Sequence, residues 1–173
     1  MPLIALRHTT PEVPPGTCYG RTDLGLAAGF EDEAAAVLDR LPPLAAIVSS
    51  PLFRCRELAR VIGKARALPV MIDERLIEMD FGCWEGRLWN DIPREELDAW
   101  NDDFQHARPH GGESVAALTA RTQHALDAWR PRAIAGSVLL VTHAGVIKAA
   151  LAKGEGTEHY GAGVDFGSHV FLE

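Results

Sequence analysis

At 173 residues, 47% of them apolar, the chain is long enough to close one domain (1–173) and to bury about two thirds of the surface its unfolded form exposes. A formal net charge of -7 argues against a nucleic-acid or anionic-membrane partner, which would want a basic face. No stretch approaches the length of a membrane span, and Met1-Pro2-Leu3 runs into an apolar strand without a basic and then apolar leader.

In chain order, the first strand covers 3–7 and ends at Arg7-His8. A loop rich in proline and glycine follows from 9 to 23, and loops of that length often carry function. Ala34, Val37, Leu38 and Leu41 recur at helical spacing over 31–40, and Pro42-Pro43 stops that helix. Residues 44–49 read as a second strand, which Ser50-Pro51 hands over to a helix at 53–64. A third short strand spans 69–72. Over 91–104, Ile92, Leu97, Trp100 and Phe104 share much of one helical face, with Asp91 before Ile92-Pro93 as the cap. Gly111-Gly112 breaks the chain before a long helix over 114–129, whose stripe of Val115, Leu118, Thr122, Ala125, Leu126 and Trp129 faces the core. A strand at 137–142, a helix at 145–153 and a closing strand within 163–172 complete the order. Alternating strands and helices predict the α/β class, as a three-layer α/β/α sandwich around a mostly parallel sheet.

Two junctions carry the chemistry. The run 3–6 leads into Arg7-His8, and the run 138–141 leads into Thr142-His143. In an open α/β sheet, ligands bind in the crevice outside the carboxyl ends of the strands, so two histidines delivered there from opposite ends of the chain mark a site. Arg7 beside His8 joins a rigid fork of phosphate donors to the side chain most easily run near neutral pH. Ser49-Ser50-Pro51-Leu52-Phe53-Arg54 repeats the arrangement, with Arg54 at the start of a helix. Thr142-His143-Ala144-Gly145 adds a histidine, close backbone approach at glycine and the N–H groups of the next helix. Between them, the segment 73–86 mixes acids with apolar anchors, and Phe81 and Trp84 pin it to the body. A carboxylic acid held by such packing serves as a proton donor; the residues alone leave Glu78, Asp80 and Glu85 open.

Other features carry less. His106 and His110 stand four apart, yet no His-Glu-x-x-His pattern or cysteine pair accompanies them, so no metal is expected. His124 reads as structural or exposed, Arg60 as solvent-facing, and Arg56, His159 and His169 receive no role. Cys18, Cys55 and Cys83 have neither paired nor metal-type spacing, which fits a reducing, cytoplasmic setting, and nothing local activates Cys83. No Gly-x-Gly-x-x-Gly follows the first strand and no Gly-Lys-Ser/Thr phosphate loop exists, which removes nicotinamide enzymes and nucleotide-triphosphate motors.

With these residues in view, the chain resembles the histidine phosphatase superfamily, the phosphoglycerate mutase-like fold, over essentially its whole length. The signature Arg-His-Gly reads Arg7-His8-Thr9 here; Ser49-Ser50-Pro51-Leu52-x-Arg54 looks like the second arginine motif, with Leu58 where a threonine is common. Glu78 followed by Gly82-x-Trp84-Glu85-Gly86 is similar to the acid-donor region, His110-Gly111-Gly112-Glu113-Ser114 to the Gly-Gly-Glu-Ser turn, and Val141-Thr142-His143-Ala144-Gly145 to the second histidine motif. The resemblance implies a phosphomonoester hydrolase in which His8 becomes phosphohistidine, Arg7, Arg54 and His143 clamp the phosphoryl group, and Glu78 protonates the leaving oxygen. It implies no metal and no organic cofactor. Pro14 falls where many members place an asparagine, and Cys18-Tyr19-Gly20-Arg21-Thr22-Asp23 looks like the variant of bacterial members close to α-ribazole phosphatase. The implied partner is thus a small phosphorylated metabolite such as α-ribazole 5′-phosphate, contacted by Arg21, Thr9, Tyr19 and Ala144, with the protein a monomer or homodimer. The competing readings are mutase-type transfer between phosphoglycerates, and a non-catalytic module that binds phospho-ligands. The short chain lacks the substrate-covering insertions of cofactor-dependent mutases, and a mutase must shield its phosphohistidine from water.

Overall fold

The structure, a computed structural model, describes residues 2–173. Five strands form one sheet: β1 (Leu3–Arg7), β2 (Ala46–Ser49), β3 (Val70–Ile72), β4 (Val138–Thr142) and β5 (His169–Leu172), in the order β3-β2-β4-β1-β5. The β3-β2, β2-β4 and β4-β1 pairs are parallel and β1-β5 is antiparallel. The helices are α1 (Phe30–Arg40), α2 (Phe53–Arg66), α3 (Arg94–Asp102), α4 (Val115–Trp129) and α5 (Ala144–Leu151).

Because strand side chains alternate between faces, the central strands divide their apolar residues between two layers. Ile4, Leu6, Ile47, Leu139 and Val141 pack with Val37 of α1 and Leu58 and Ile62 of α2. Leu3, Ala5, Val48, Val138 and Leu140 pack with Leu118, Ala125 and Leu126 of α4 and Ile147 of α5. Both faces of β4 are covered, and all five of its residues are buried. This is the α/β sandwich expected from the alternation of elements. A smaller apolar nest of Cys18, Trp84 and Ile92, joined by Phe81, Trp89 and Trp100, lies outside the sheet layers.

Three details differ from the expectation. The helix over 91–104 is only Arg94–Asp102, and Asp91 ends a separate 3-10 turn instead of capping it. The cause is Pro93, which keeps Ile92 extended at ψ 130. The closing strand is four residues long and antiparallel at the sheet edge, because 163–168 bends over the end of β1, where Gly167 N donates to the carbonyls of Arg7 and His8 at 3.2 and 3.1 Å. Helix α5 starts at Ala144, directly after His143, one residue earlier than the sequence pattern predicts.

Candidate active site

Strand register builds the site. On adjacent parallel strands Arg7 pairs with Thr142, so the next residues, His8 and His143, leave the sheet side by side. His8 N donates to Thr142 O at 3.1 Å, Ser50 N donates to Val141 O at 2.9 Å, and the two imidazoles stand 5.2 Å apart, edge to face. Thus Ser50, His143 and His8 line up along the carboxyl ends of β2, β4 and β1.

The hydrogen-bond partners fix the His8 tautomer. Nδ1 lies 2.7 Å from the Thr9 carbonyl, which can only accept, so Nδ1 carries the proton. Nε2 then holds the lone pair, and it accepts from Arg54 Nε at 3.3 Å. Burial, followed by the charges of Arg54 and then Arg7, lowers the His8 pKa to about 3 against the pull of the Thr9 carbonyl. At His143, Nε2 lies 2.7 Å from Ser50 Oγ, which also accepts from Leu52 N, and 3.4 Å from Cys55 Sγ, so this nitrogen is engaged within the protein. Burial also pushes His143 well below 6.5, with His8 and Arg54 adding to the shift. Both histidines are therefore neutral in the folded protein.

A pH dependence of stability follows. Below 6.5 the unfolded chain protonates both histidines while the folded chain keeps His8 neutral down to about 3, so the unfolded state gains protons and stability falls with pH. Glu78 opposes this: its raised value gives stability at low pH that is lost as pH rises through the folded value. His110 and His169, also lowered by burial, act in the same direction as His8 and His143, so the net effect is a loss of stability on acidification. Urea midpoints are expected to fall steadily from pH 6.5 toward about 4, with a shallower slope in His8→Asn; equal slopes for the two proteins would contradict the assignment.

Two arginines enclose the histidines. Arg54 is fully buried on the first turn of α2, with no carboxylate partner among the described residues. Its Nη1 and Nη2 donate to the carbonyls of Thr22 and Gly20 at 2.7 and 2.8 Å, and Asp23 Oδ1 accepts from Phe53 N. The long loop after His8 is thereby tied to the helix that carries the arginine. Arg7 donates from Nη1 to Val164 O and from Nη2 to the Tyr19 hydroxyl, and its guanidinium lies 3.8 Å from the centre of the Phe166 ring. Its Nε is buried without a partner.

Of the three acids left open by the sequence, two are occupied elsewhere. Asp80 accepts from Gly82 N, and Glu85 accepts from Thr22 and Phe81. Glu78 faces the site: its oxygens accept from Met79 N at 2.8 Å and Gly145 N at 3.1 Å. Burial raises its pKa, against the pull of those two N–H groups and of Arg54 and Arg121. A Cβ at Gly145 would collide with Glu78 Oε1 and displace the carboxyl, so the glycine leaves room for it in this position.

The group that holds the Glu78 segment was missed in the sequence. Arg121 of α4 donates to the carbonyls of Arg75, Ile77 and Glu78 at 2.7, 2.6 and 3.1 Å, and forms a two-pronged pair with Glu113 at 2.7 and 2.9 Å. Glu113 is set in turn by Asp80, whose carbonyl approaches so closely that a Cβ at Gly112 would strike it. The available signal was spacing: Arg121 lies three residues after Leu118 and four before Ala125, on the buried stripe of α4.

Beside these groups opens a cavity of about 610 Å³. Arg7, Glu78, Ala144 and Gly145 line it near the histidines, while Phe81, Trp89, Trp100, Phe104, Leu118 and Tyr160 form apolar walls. Of the residues expected to contact substrate, Tyr19 and Ala144 line this cavity and Thr9 and Arg21 do not. Thr9 is buried next to His8 with its hydroxyl unpartnered. Arg21 turns away from the cavity: its Nε donates to Glu78 O at 3.3 Å and its Nη2 lies 3.6 Å from Glu113, acceptors that compete for the guanidinium. His110 is buried among Phe81, Trp84 and Trp100, accepting from Gly112 N, whereas His106 and His124 are exposed. Among the described residues no cluster of three or more His, Cys, Asp or Glu side chains is arranged to hold a metal ion, and no helix is long and apolar enough to cross a membrane.

Comparison with known proteins places these residues in context. Residues 3–162 match the family described as Histidine phosphatase superfamily (branch 1). A bifunctional protein of Mycobacterium tuberculosis is 35% identical over 160 residues, 86% of this chain; the chain spans only 43% of that relative's length. An adenosylcobalamin/alpha-ribazole phosphatase of Escherichia coli is 34% identical over 110 residues, covering 62% of this chain and 54% of the relative. Among solved structures, a phosphoglycerate mutase from Thermus thermophilus superposes with a TM-score of 0.80 at 32% identity, over 100% of this chain and 93% of that one.

Proposed function

The chain belongs to the histidine phosphatase superfamily (branch 1), and from that premise we propose that it hydrolyses phosphomonoesters through a phosphohistidine on His8. The observation that carries this reading is a neutral imidazole of fixed tautomer with an unpaired arginine donor in the same site. His8 Nδ1–H is committed to Thr9, Nε2 keeps its lone pair, and Arg7 Nε is buried with no hydrogen-bond partner among the described residues, while His143 Nδ1 meets only the Cys55 sulfur, at 3.9 Å.

In this mechanism the ester's phosphoryl oxygens take the donors of Arg7, Arg54 and His143, and Nε2 is released from its 3.3 Å contact with Arg54. Nε2 attacks phosphorus in line, the P–O bond to the alcohol breaks, and the protonated Glu78 carboxyl gives its proton to the leaving oxygen. Charge spreads over the equatorial oxygens as the bond loosens, so preorganised cationic donors contribute most of the stabilisation. Water then attacks the phosphohistidine and yields its proton to the Glu78 carboxylate, the P–N bond breaks, and neutral His8 returns with inorganic phosphate released. No step requires a metal or an organic cofactor.

The cavity walls support a leaving group with a flat apolar body. The aromatic base of α-ribazole 5′-phosphate suits that wall, in keeping with the Cys18-to-Asp23 segment and the Escherichia coli relative. A three-carbon acid would leave most of the walls uncovered, which favours hydrolysis over mutase chemistry. In this reading the protein acts on a small phosphorylated metabolite in the cytoplasm, as a monomer or homodimer; its three cysteines are free thiols.

Rapid quenching of turnover with a labelled aryl phosphate tests the proposal. An acid-labile, alkali-stable label on the protein and inorganic phosphate as the product are expected. Transfer of the label to a second acceptor alcohol would favour the mutase reading, and no turnover across α-ribazole 5′-phosphate, phosphoglycerates, sugar phosphates and nucleotides would leave a binding module.

A further inference from the structure

We propose that Lys148 is a specificity-determining residue, which reads a hydrogen-bond acceptor on the leaving-group portion of the substrate. The inference deepens the phosphatase reading and takes its direction of binding from it. Ala144, Gly145 and Lys148 all line the cavity, as residues i, i+1 and i+4 of one face of α5, while Val146, Ile147 and Ala149 on the other faces are buried. From Ala144 to Lys148 the helix rises about 6 Å. Lys148 therefore stands one turn farther along the cavity than the groups that surround the phosphoryl position.

Its surroundings there are apolar. The cavity it lines has Phe104, Leu118 and Tyr160 among its walls, and the Tyr160 hydroxyl is already bonded to Thr119 at 2.9 Å and Gln105 at 3.4 Å. Among the described residues Lys148 has no carboxylate within 4.0 Å and no hydrogen-bond acceptor. Apart from Arg7 at the phosphoryl end, it is the one basic side chain among the cavity's lining residues. Lys148 is half-buried, and an apolar ligand body filling the cavity would strip water from its ammonium without offering a counter-group. A ligand acceptor placed there restores a charge-assisted hydrogen bond, stronger than a neutral one. The preferred ester thus has three parts in order: a phosphoryl group, a flat apolar body and an acceptor at the far end. A carboxylate and a ring nitrogen are both such acceptors.

Binding of non-hydrolysable aryl phosphonates, followed by calorimetry on the full chain, tests this without relying on turnover. Three probes suffice: a naphthylmethylphosphonate, its analogue with a carboxylate at the ring end opposite the phosphonate, and a quinoline analogue with the ring nitrogen at that end. The parent protein is expected to prefer the acceptor-bearing probes. Lys148→Met is expected to lower the preference for the carboxylated probe over naphthyl by about tenfold, the size of one charge-assisted hydrogen bond, and Lys148→Arg to restore most of it. Loss confined to the carboxylated probe assigns an anionic group, and loss with both probes assigns neutral acceptors as well. Unchanged ratios in Lys148→Met overturn the proposal. Hydrolysis of the matching aryl phosphates is scored separately, so absent turnover with an intact Lys148-dependent preference counts against the phosphatase reading alone.

Discussion

His8→Ala is expected to reduce kcat on any phosphomonoester by about 10⁴-fold or more, the scale on which loss of a covalent nucleophile acts, and to abolish the acid-labile label on the protein. KM should move much less. Arg7, Arg54 and His143 are held by contacts that do not involve the His8 ring: Val164 and Tyr19 for Arg7, Thr22 and Gly20 for Arg54, and Ser50 for His143. The donors that would receive the phosphoryl oxygens remain in place, so inorganic phosphate should still inhibit. Activity within tenfold of the parent protein, or a label that survives in the variant, would remove His8 from the mechanism.

Glu78→Gln is expected to lower kcat by roughly 10²- to 10³-fold for esters of ordinary alcohols, in the range found for general acids. The amide keeps the size of the carboxyl and an oxygen for Gly145 N or Met79 N, but has no proton to give a departing alkoxide. A nitrophenyl ester, whose leaving group departs without protonation, should lose much less. That contrast separates proton donation from packing, since a collapsed site would slow both esters alike. The parent enzyme should also lose activity as pH rises through the raised Glu78 value, because the carboxyl must be protonated for the first step; this high-pH limb should vanish in the variant.

Much of the architecture was legible because periodicity and burial agree. The stripe of α4 is the clearest case: Val115, Leu118, Thr122, Ala125, Leu126 and Trp129 are all buried. The apolar runs ending at Arg7 and Thr142 are β1 and β4, and their pairing could be anticipated from two similar strand ends. Side-chain destinations were harder to read. Arg21 looked suited to phosphate, yet the carbonyl of Glu78, shared with Arg121, and the Glu113 carboxylate take its donors, and neither is near it in sequence. Arg121 was passed over because a charged residue in a helix is by default surface-facing. Its role depends on three carbonyls from residues 75–78, brought to it by tertiary folding. The helix over 91–104 is present but starts late, at Arg94, for a local reason, the single proline at position 93. The cavity had no sequence signal as a cavity, since its lining comes from many separated segments, from Arg7 to Phe166.

Those walls and the reacting groups beside them have different origins. His8, His143 and Ser50 leave the ends of neighbouring strands, while the aromatic lining comes from segments near 81–104 and 157–166. Retargeting the protein by laboratory selection can therefore concentrate on Trp89, Trp100, Phe104 and Tyr160. Libraries at those positions would sample new esters while the reacting groups keep their geometry, whereas diversity introduced at 7–9, 50–54 or 142–145 would mostly be spent on inactive clones.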